Sequence, residues 1–185
     1  MNTKRIVITG GPGTGKTVMI EALEKAGYVC FHEVIRSMTQ EAKKKDHKPF
    51  ASNPIINVSD PLQFNTQILE GRLAQFNASK DVNQQKVFYD RGLPDVLAYM
   101  DYFKQIYPKE FVQTCKNHLY DIVFILPPWE EIYVVDEERF ESYEEAVHIH
   151  DYLDYTYTSL GYTPITVPKA SIASRVAHIL DFINP

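Results

Sequence analysis

The glycine-rich stretch at residues 10–17 constrains the fold more than any other part of the chain. Its sequence, GGPGTGKT, fits the pattern G-x-x-x-x-G-K-[ST] and follows a short β-branched run, KRIVIT. In such a stretch the backbone N–H groups converge on phosphate oxygens, and a helix that begins there adds its partial positive charge. A glycine-rich turn without a ligand is the alternative, but four of the eight glycines of the chain lie here. The stretch therefore predicts a phosphate-binding loop, which we call the P-loop.

The P-loop pattern also predicts which residues contact the nucleotide. The Lys16 ammonium is expected to reach the β- and γ-phosphates, and the Thr17 hydroxyl to bind Mg²⁺. We predict ATP as the nucleotide and Mg²⁺ as its metal. The predicted contact residues are Gly10, Gly11, Pro12, Gly13, Thr14, Gly15, Lys16, Thr17 and Val18.

Short apolar runs alternate with helical segments along the whole chain. Expected strands lie at residues 4–9, 28–32, 86–90, 121–126 and 162–167. Expected helices lie at residues 15–26, 33–45, 60–79, 93–103, 108–118, 142–161 and 171–183, with a mobile loop at 46–60. Apolar strands that do not alternate with polar residues predict a parallel sheet buried on both faces. We therefore expect an α/β fold, a three-layer αβα sandwich with a five-stranded parallel sheet, in one domain over residues 1–185.

In such a sheet, ligands bind beyond the carboxyl ends of the strands, so residues that directly follow a strand are candidates for chemistry. Glu33 could accept a proton from an attacking hydroxyl, or could only cap a helix and pair with Arg36. Asp90 could hold Mg²⁺, and Arg91 beside it could neutralise a phosphate or orient Glu33. A structural salt bridge is the alternative for both.

The acidic segment after the fourth strand predicts a lid at about residues 127–142. Arg139 is its one basic residue between positions 129 and 145. Kinases of this architecture close such a loop over the phosphates, and an arginine there can raise the rate by about 10³ to 10⁵. A surface ion pair is the alternative for Arg139.

Composition and missing motifs narrow the classes of protein that are expected. The net charge of −5 argues against a nucleic-acid partner, and no apolar run is long enough to span a bilayer. With no signal-peptide pattern and only two cysteines, we expect a cytoplasmic protein whose partner is a small molecule. The D-x-x-G and N-K-x-D motifs of switch GTPases do not occur.

Five segments of the chain together resemble a known family. They are ITGGPGTGKT, HEVIR, FYDRGLPDVLAY, LPPWEEIYVVDEERFESYEEA and YTSLGYTPITVP. They resemble the AAA-type P-loop domain shared with the ribosylnicotinamide kinase part of NadR, a group of ATPases and kinases. The resemblance implies an ATP-binding domain with a nucleoside-kinase-like fold. In it, Lys16, Thr17 and Asp90 match nucleotide and magnesium positions, and Glu33 and Arg139 match acceptor-side and lid positions.

Two functions are therefore expected. The first is a Mg²⁺-dependent kinase that transfers the γ-phosphoryl group of ATP to a hydroxyl of a nucleoside-like small molecule, with Lys16, Glu33, Asp90, Arg91 and Arg139 as its catalytic residues. The second is a protein whose binding to a partner is gated by ATP or GTP and whose only chemistry is slow hydrolysis.

Overall fold

A computed structural model describes residues 3–35, 60–133 and 141–184. The predicted mobile loop at 46–60, except Asp60, lies outside the described residues. So do most of the helix predicted at residues 33–45 and the predicted lid arginine, Arg139.

The five described strands form one sheet in which every neighbouring pair is parallel. The order across the sheet is β2-β3-β1-β4-β5. The strands are β1 (Lys4–Gly10), β2 (Val29–Phe31), β3 (Lys86–Asp90), β4 (Ile122–Leu126) and β5 (Ile165–Thr166). The predicted five-stranded parallel sheet is confirmed.

Six α-helices lie wholly within the described part of the chain. They are α1 (Lys16–Lys25), α2 (Pro61–Ala78), α3 (Pro94–Tyr102), α4 (Lys109–Asn117), α5 (Tyr143–Ser159) and α6 (Ile172–Ile183). None of these helices is long and apolar enough to cross a membrane.

Side chains of β1 alternate between the two hydrophobic cores. Val7 points into a core with residues of α2, α3, α4 and α5, whereas Ile6 and Ile8 point into a core with residues of α1 and α6. All three side chains are fully buried. The sheet is therefore covered by helices on both faces, which is why its strands are apolar without alternation. The predicted three-layer sandwich is confirmed.

Capping residues predict where two of the helices, α2 and α5, begin, and the structure contains both caps. The Asp60 carboxylate accepts a hydrogen bond from the Gln63 N–H at 2.9 Å, with Pro61 at the first helical position of α2. Ser142 and Glu145 form a reciprocal capping box at the start of α5. Such caps satisfy N–H groups that the first helical turn leaves without partners.

The fifth strand is shorter than its predicted range of residues 162–167. β5 is an edge strand, and Pro164, directly before it, has no N–H group to donate to β4. The Val167 N–H still donates to the Ile125 carbonyl at 3.0 Å. The pairing of β5 with β4 is therefore limited to a few residues, although the position of the strand was predicted correctly.

Candidate active site

The P-loop connects the end of β1 with the start of α1. Gly13 and Gly15 have φ angles of 71° and 85°, in the left-handed region that side chains disfavour. The Thr14 hydroxyl donates to the Gly11 carbonyl at 2.9 Å and closes the turn from within. Thr17 and the exposed Val18 lie in the first turn of α1, where backbone N–H groups are available to a ligand.

Lys16 is folded back against the P-loop. Its Nζ donates to the Gly11 carbonyl at 2.6 Å, and the residue is only 9% exposed. Burial, aided by the neighbouring charge of Arg91, lowers the pKa of Lys16 to about 7, although the carboxylates of Asp90 and Glu33 oppose the shift. An anionic phosphate in the P-loop would restore the charged form of this lysine.

Asp90 ends β3, directly beside β1, whose Ile8 is its partner across the ladder. The residue is 6% exposed, and its Oδ1 has no hydrogen-bond partner. Burial, together with the charge of Glu33, raises the pKa of Asp90. A buried carboxylate oxygen without a partner is suited to bind a cation. Mg²⁺ takes oxygen ligands, so the Asp90 carboxylate and the Thr17 hydroxyl fit a Mg²⁺ site in their donor chemistry.

The Glu33 carboxylate follows β2 and is held by two arginines. Arg91 Nε contacts Oε2 of Glu33, and Arg72 Nη2 donates to Oε1 at 3.0 Å. Burial favours the protonated acid, but the charges of Arg72 and Arg91 outweigh it and hold the pKa of Glu33 below its usual value. Glu33 is therefore a fixed anion at the carboxyl edge of the sheet.

Arg91 links Glu33 to the P-loop. Its Nη1 lies 3.4 Å from the Gly10 carbonyl oxygen and its guanidinium carbon 5.0 Å from the centre of the Tyr99 ring. The backbone of Arg91 has a φ of 73°, a conformation that costs a non-glycine residue about 1–2 kcal/mol. The strained backbone thus occurs at a residue whose side chain contacts both Glu33 and the P-loop.

Asp95 was not predicted from the sequence, yet it lies fully buried at the centre of the network. Its carboxylate accepts hydrogen bonds from the hydroxyls of Thr9 and Tyr157, both at 2.6 Å, from the Gly92 N–H at 3.0 Å, and from Arg91 Nη1 at 3.2 Å. Although burial raises it, the pKa of Asp95 is lowered overall by Arg72 and Arg91 and by these hydrogen bonds. Asp95 thus contacts Arg91 at Nη1, whereas Glu33 contacts it at Nε.

Arg72 of α2 is the second arginine of the cluster. It is 3% exposed and also donates from Nη1 to the Gly92 carbonyl at 3.0 Å. Gln67, on the same helix, is exposed. The structure therefore brings Lys16, Asp90, Glu33 and Arg91 together, with Arg72 and Asp95 beside them.

The segment after β4 lies over the P-loop. A Cβ atom on Gly13 would stand 2.4 Å from the Tyr133 ring, and one on Gly15 would stand 3.9 Å from the Ile132 side chain. The Tyr133 hydroxyl donates to the Glu141 carbonyl, so the two ends of the interval 134–140 are joined. Ile132 and Tyr133, in the predicted lid segment, therefore lie against the P-loop.

Comparison with known proteins identifies the family. The family model described as AAA domain matches residues 5–175, and the chain belongs to this family. A comparison with curated proteins found no significant match.

Several solved structures share the fold. Deoxyadenosine kinase from M. mycoides matches with a TM-score of 0.68 at 18% identity, over 97% of this chain and 98% of its own. The NadR protein in complex with NR matches with a TM-score of 0.69 at 20% identity, over 98% of this chain and 50% of its own. Thymidylate kinase from Ehrlichia chaffeensis matches with a TM-score of 0.64 at 15% identity, over the whole of both chains. The chain therefore has the fold of the P-loop nucleoside and nucleotide kinases.

Proposed function

We propose that this AAA-domain protein is a kinase that transfers the γ-phosphoryl group of ATP to a hydroxyl group of a nucleoside-like small molecule. The observation that carries the proposal is the Glu33 carboxylate, which Arg72 and Arg91 fix beside the P-loop. A carboxylate held this rigidly can orient an attacking hydroxyl group, which is the task that a kinase requires of it. Neighbours in fold that are named as deoxyadenosine kinase and NadR with NR agree with this assignment.

In the proposed reaction the acceptor oxygen forms a bond to the γ-phosphorus. The bond from this phosphorus to the β–γ bridging oxygen breaks, and ADP leaves with the electron pair. The hydroxyl proton passes to the carboxylate of Glu33. Oε1 of Glu33 accepts from Arg72 and, at 3.5 Å, from the Ile35 N–H, and Oε2 contacts Arg91. A carboxylate offers about four acceptor sites, so about one remains for the acceptor hydroxyl.

The lowered pKa makes Glu33 a weak base. This suits phosphoryl transfer, because its transition state is loose and the nucleophile needs orientation more than early deprotonation. Lys16 and Arg91 supply positive charge where negative charge moves from the γ-phosphoryl group to ADP. A bound Mg²⁺, held by Thr17 and Asp90, would neutralise further charge on the β- and γ-phosphates.

The charge balance of the cluster favours an uncharged acceptor. Arg72 and Arg91 are both engaged by carboxylates, those of Glu33 and Asp95. A monophosphate acceptor would have to compete with these carboxylates for the two arginines, whereas a neutral hydroxyl needs only one acceptor atom. We therefore place nucleosides ahead of nucleotides as substrates.

A thermal-shift screen tests this proposal. The protein is mixed with Mg²⁺ and a non-hydrolysable ATP analogue, and nucleosides and other small hydroxyl compounds are added in turn. We expect the analogue to raise the melting temperature and one class of acceptor to raise it further. The second increase should be lost in Glu33→Gln and kept in Glu24→Gln, which removes a surface carboxylate that pairs with His32. An analogue effect that no acceptor increases would favour the nucleotide-gated binding protein instead.

A further inference from the structure

Arg175 lies in α6, behind the P-loop. The residue is 3% exposed, and its Nη2 donates to the Thr14 carbonyl at 2.9 Å. A Cβ atom on Gly15 would stand 3.1 Å from its Nη1. The guanidinium therefore packs against the outer side of the peptide that joins Thr14 to Gly15.

The charge of Arg175 has no anionic partner in the described part of the chain. Its Nε forms no hydrogen bond, and burial lowers the pKa of Arg175 without an opposing carboxylate among residues 3–35, 60–133 and 141–184. Buried charges in proteins are usually paired, because an unpaired charge loses its hydration without compensation. The arrangement therefore leaves positive charge directly behind a loop whose sequence is suited to an anion.

The contact with the Thr14 carbonyl also fixes the direction of the N–H group in the same peptide, which is that of Gly15. In a trans peptide the C=O and the following N–H point in opposite directions. Because the Thr14 carbonyl points outward to Arg175, the Gly15 N–H points toward the inside of the loop. This N–H is one of those with which a P-loop binds phosphate oxygens.

We infer that Arg175 is a positioning residue for the nucleotide: it orients the Thr14–Gly15 peptide toward the β-phosphate and places a buried positive charge behind it. The inference rests on the proposed nucleotide-binding function. It assigns to α6 a part in binding that lies outside the P-loop and outside the cluster around Glu33. If Arg175 only ties α6 to the loop, its replacement should leave the relative affinities for ADP and AMP unchanged.

The dissociation constants of ADP and AMP, measured by calorimetry, separate the two roles. AMP lacks the β-phosphate, so the ratio of its dissociation constant to that of ADP measures how strongly the P-loop binds the β-phosphate. We expect Arg175→Gln to lower this ratio about tenfold, the value of one hydrogen bond to a charged group. Arg175→Lys, which keeps the charge but not the planar guanidinium, should give an intermediate ratio.

Ile179→Val provides the matched control, because Ile179 is fully buried one turn further along α6. It should lower the melting temperature and leave the ratio unchanged. The inference is overturned if Arg175→Gln keeps the wild-type ratio, whatever its stability. If the Gln variant does not fold, an unchanged ratio in Arg175→Lys has the same consequence. A wild-type protein that binds ADP no more tightly than AMP would instead contradict the proposed function itself.

Discussion

Arg72 donates a hydrogen bond from Nη2 to Oε1 of Glu33 at 3.0 Å, across 39 positions of sequence. The bond joins α2 to the segment that follows β2. Because Arg91 contacts the other oxygen of Glu33, the carboxylate cannot rotate without breaking both contacts. The proposed acceptor-orienting group is therefore held by two separate elements of the fold.

Replacement of Arg72 by Gln should impair both stability and turnover. The change leaves a buried carboxylate with one of its two cationic partners, and breaking a buried pair costs about 3–5 kcal/mol. We also expect kcat to fall at least about tenfold, since Glu33 loses its fixed orientation. Urea unfolding and steady-state kinetics measure the two effects. Gln67→Ala, at an exposed position of the same helix, should change neither. Wild-type stability in Arg72→Gln would show that the pair contributes nothing to the fold.

The Glu33 ion pairs should make part of the stability dependent on pH. A carboxylate with a lowered pKa in the folded state stabilises the protein above its unfolded pKa, which is about 4.3, and loses this effect as pH falls through the folded pKa. The free energy of unfolding should thus differ between wild type and Glu33→Gln by a constant amount above about pH 5. Below about pH 4 the difference should become smaller as the pH falls further. Urea titrations from pH 3 to 7 test this, and a difference that stays constant to pH 3 would contradict it.

Lys16 should couple nucleotide binding to proton uptake. With a pKa of about 7, a large part of the lysine is neutral in the free protein at neutral pH, and an anionic ligand favours the protonated form. The affinity for ADP should therefore fall as the pH rises from 7.5 to 9. This range lies above the pKa of the phosphate group itself, which is about 6. Calorimetry in buffers of different ionisation enthalpy measures the protons directly.

The Lys16→Met variant is the control for this linkage. It should bind ADP weakly and without proton uptake. Burial of Lys16 lowers its pKa, so the charged form is unfavourable in the folded state, and the variant should be at least as stable as wild type at pH 7. A strongly destabilised Lys16→Met would indicate that the lysine has a mainly structural role.

Asp90→Asn should abolish the effect of Mg²⁺ on nucleotide affinity without weakening the fold. Burial raises the pKa of Asp90, so its ionised form destabilises the free protein at pH 7, and an amide removes that effect. The measurement is the dissociation constant of ADP with and without Mg²⁺. Asp81→Asn, an exposed carboxylate after α2, should keep the Mg²⁺ dependence. An unchanged Mg²⁺ effect in Asp90→Asn would exclude Asp90 from the metal site.

Much of the fold could be predicted from local signals. The P-loop pattern, the apolar strands and the caps at Asp60 and Ser142 each depend on a few neighbouring residues, so they could be recognised in the sequence alone. Asp90 and Glu33 were identified because Asp90 ends a strand and Glu33 lies just beyond one, and parallel strands bring such residues to one edge.

The supporting residues could not be predicted in the same way. Arg72 is one of several polar residues of α2, and only the packing of that helix shows which of them are buried. Asp95 lies four residues after Arg91 within DRGLPD, but Arg91 precedes α3, so helical spacing does not predict their contact. Its bonds to Thr9 and Tyr157 depend on β1 and α5, which the local sequence does not reveal.

The fate of the γ-phosphoryl group tests the proposed kinase function most directly. ATP labelled in this group is incubated with the protein, Mg²⁺ and the acceptors that raise the melting temperature, and the products are separated. We predict that label appears in a phosphorylated acceptor, that ADP forms in equal amount, and that Glu33→Gln abolishes the transfer. Label found only in inorganic phosphate, at a rate that no acceptor changes, would contradict the assignment as a kinase.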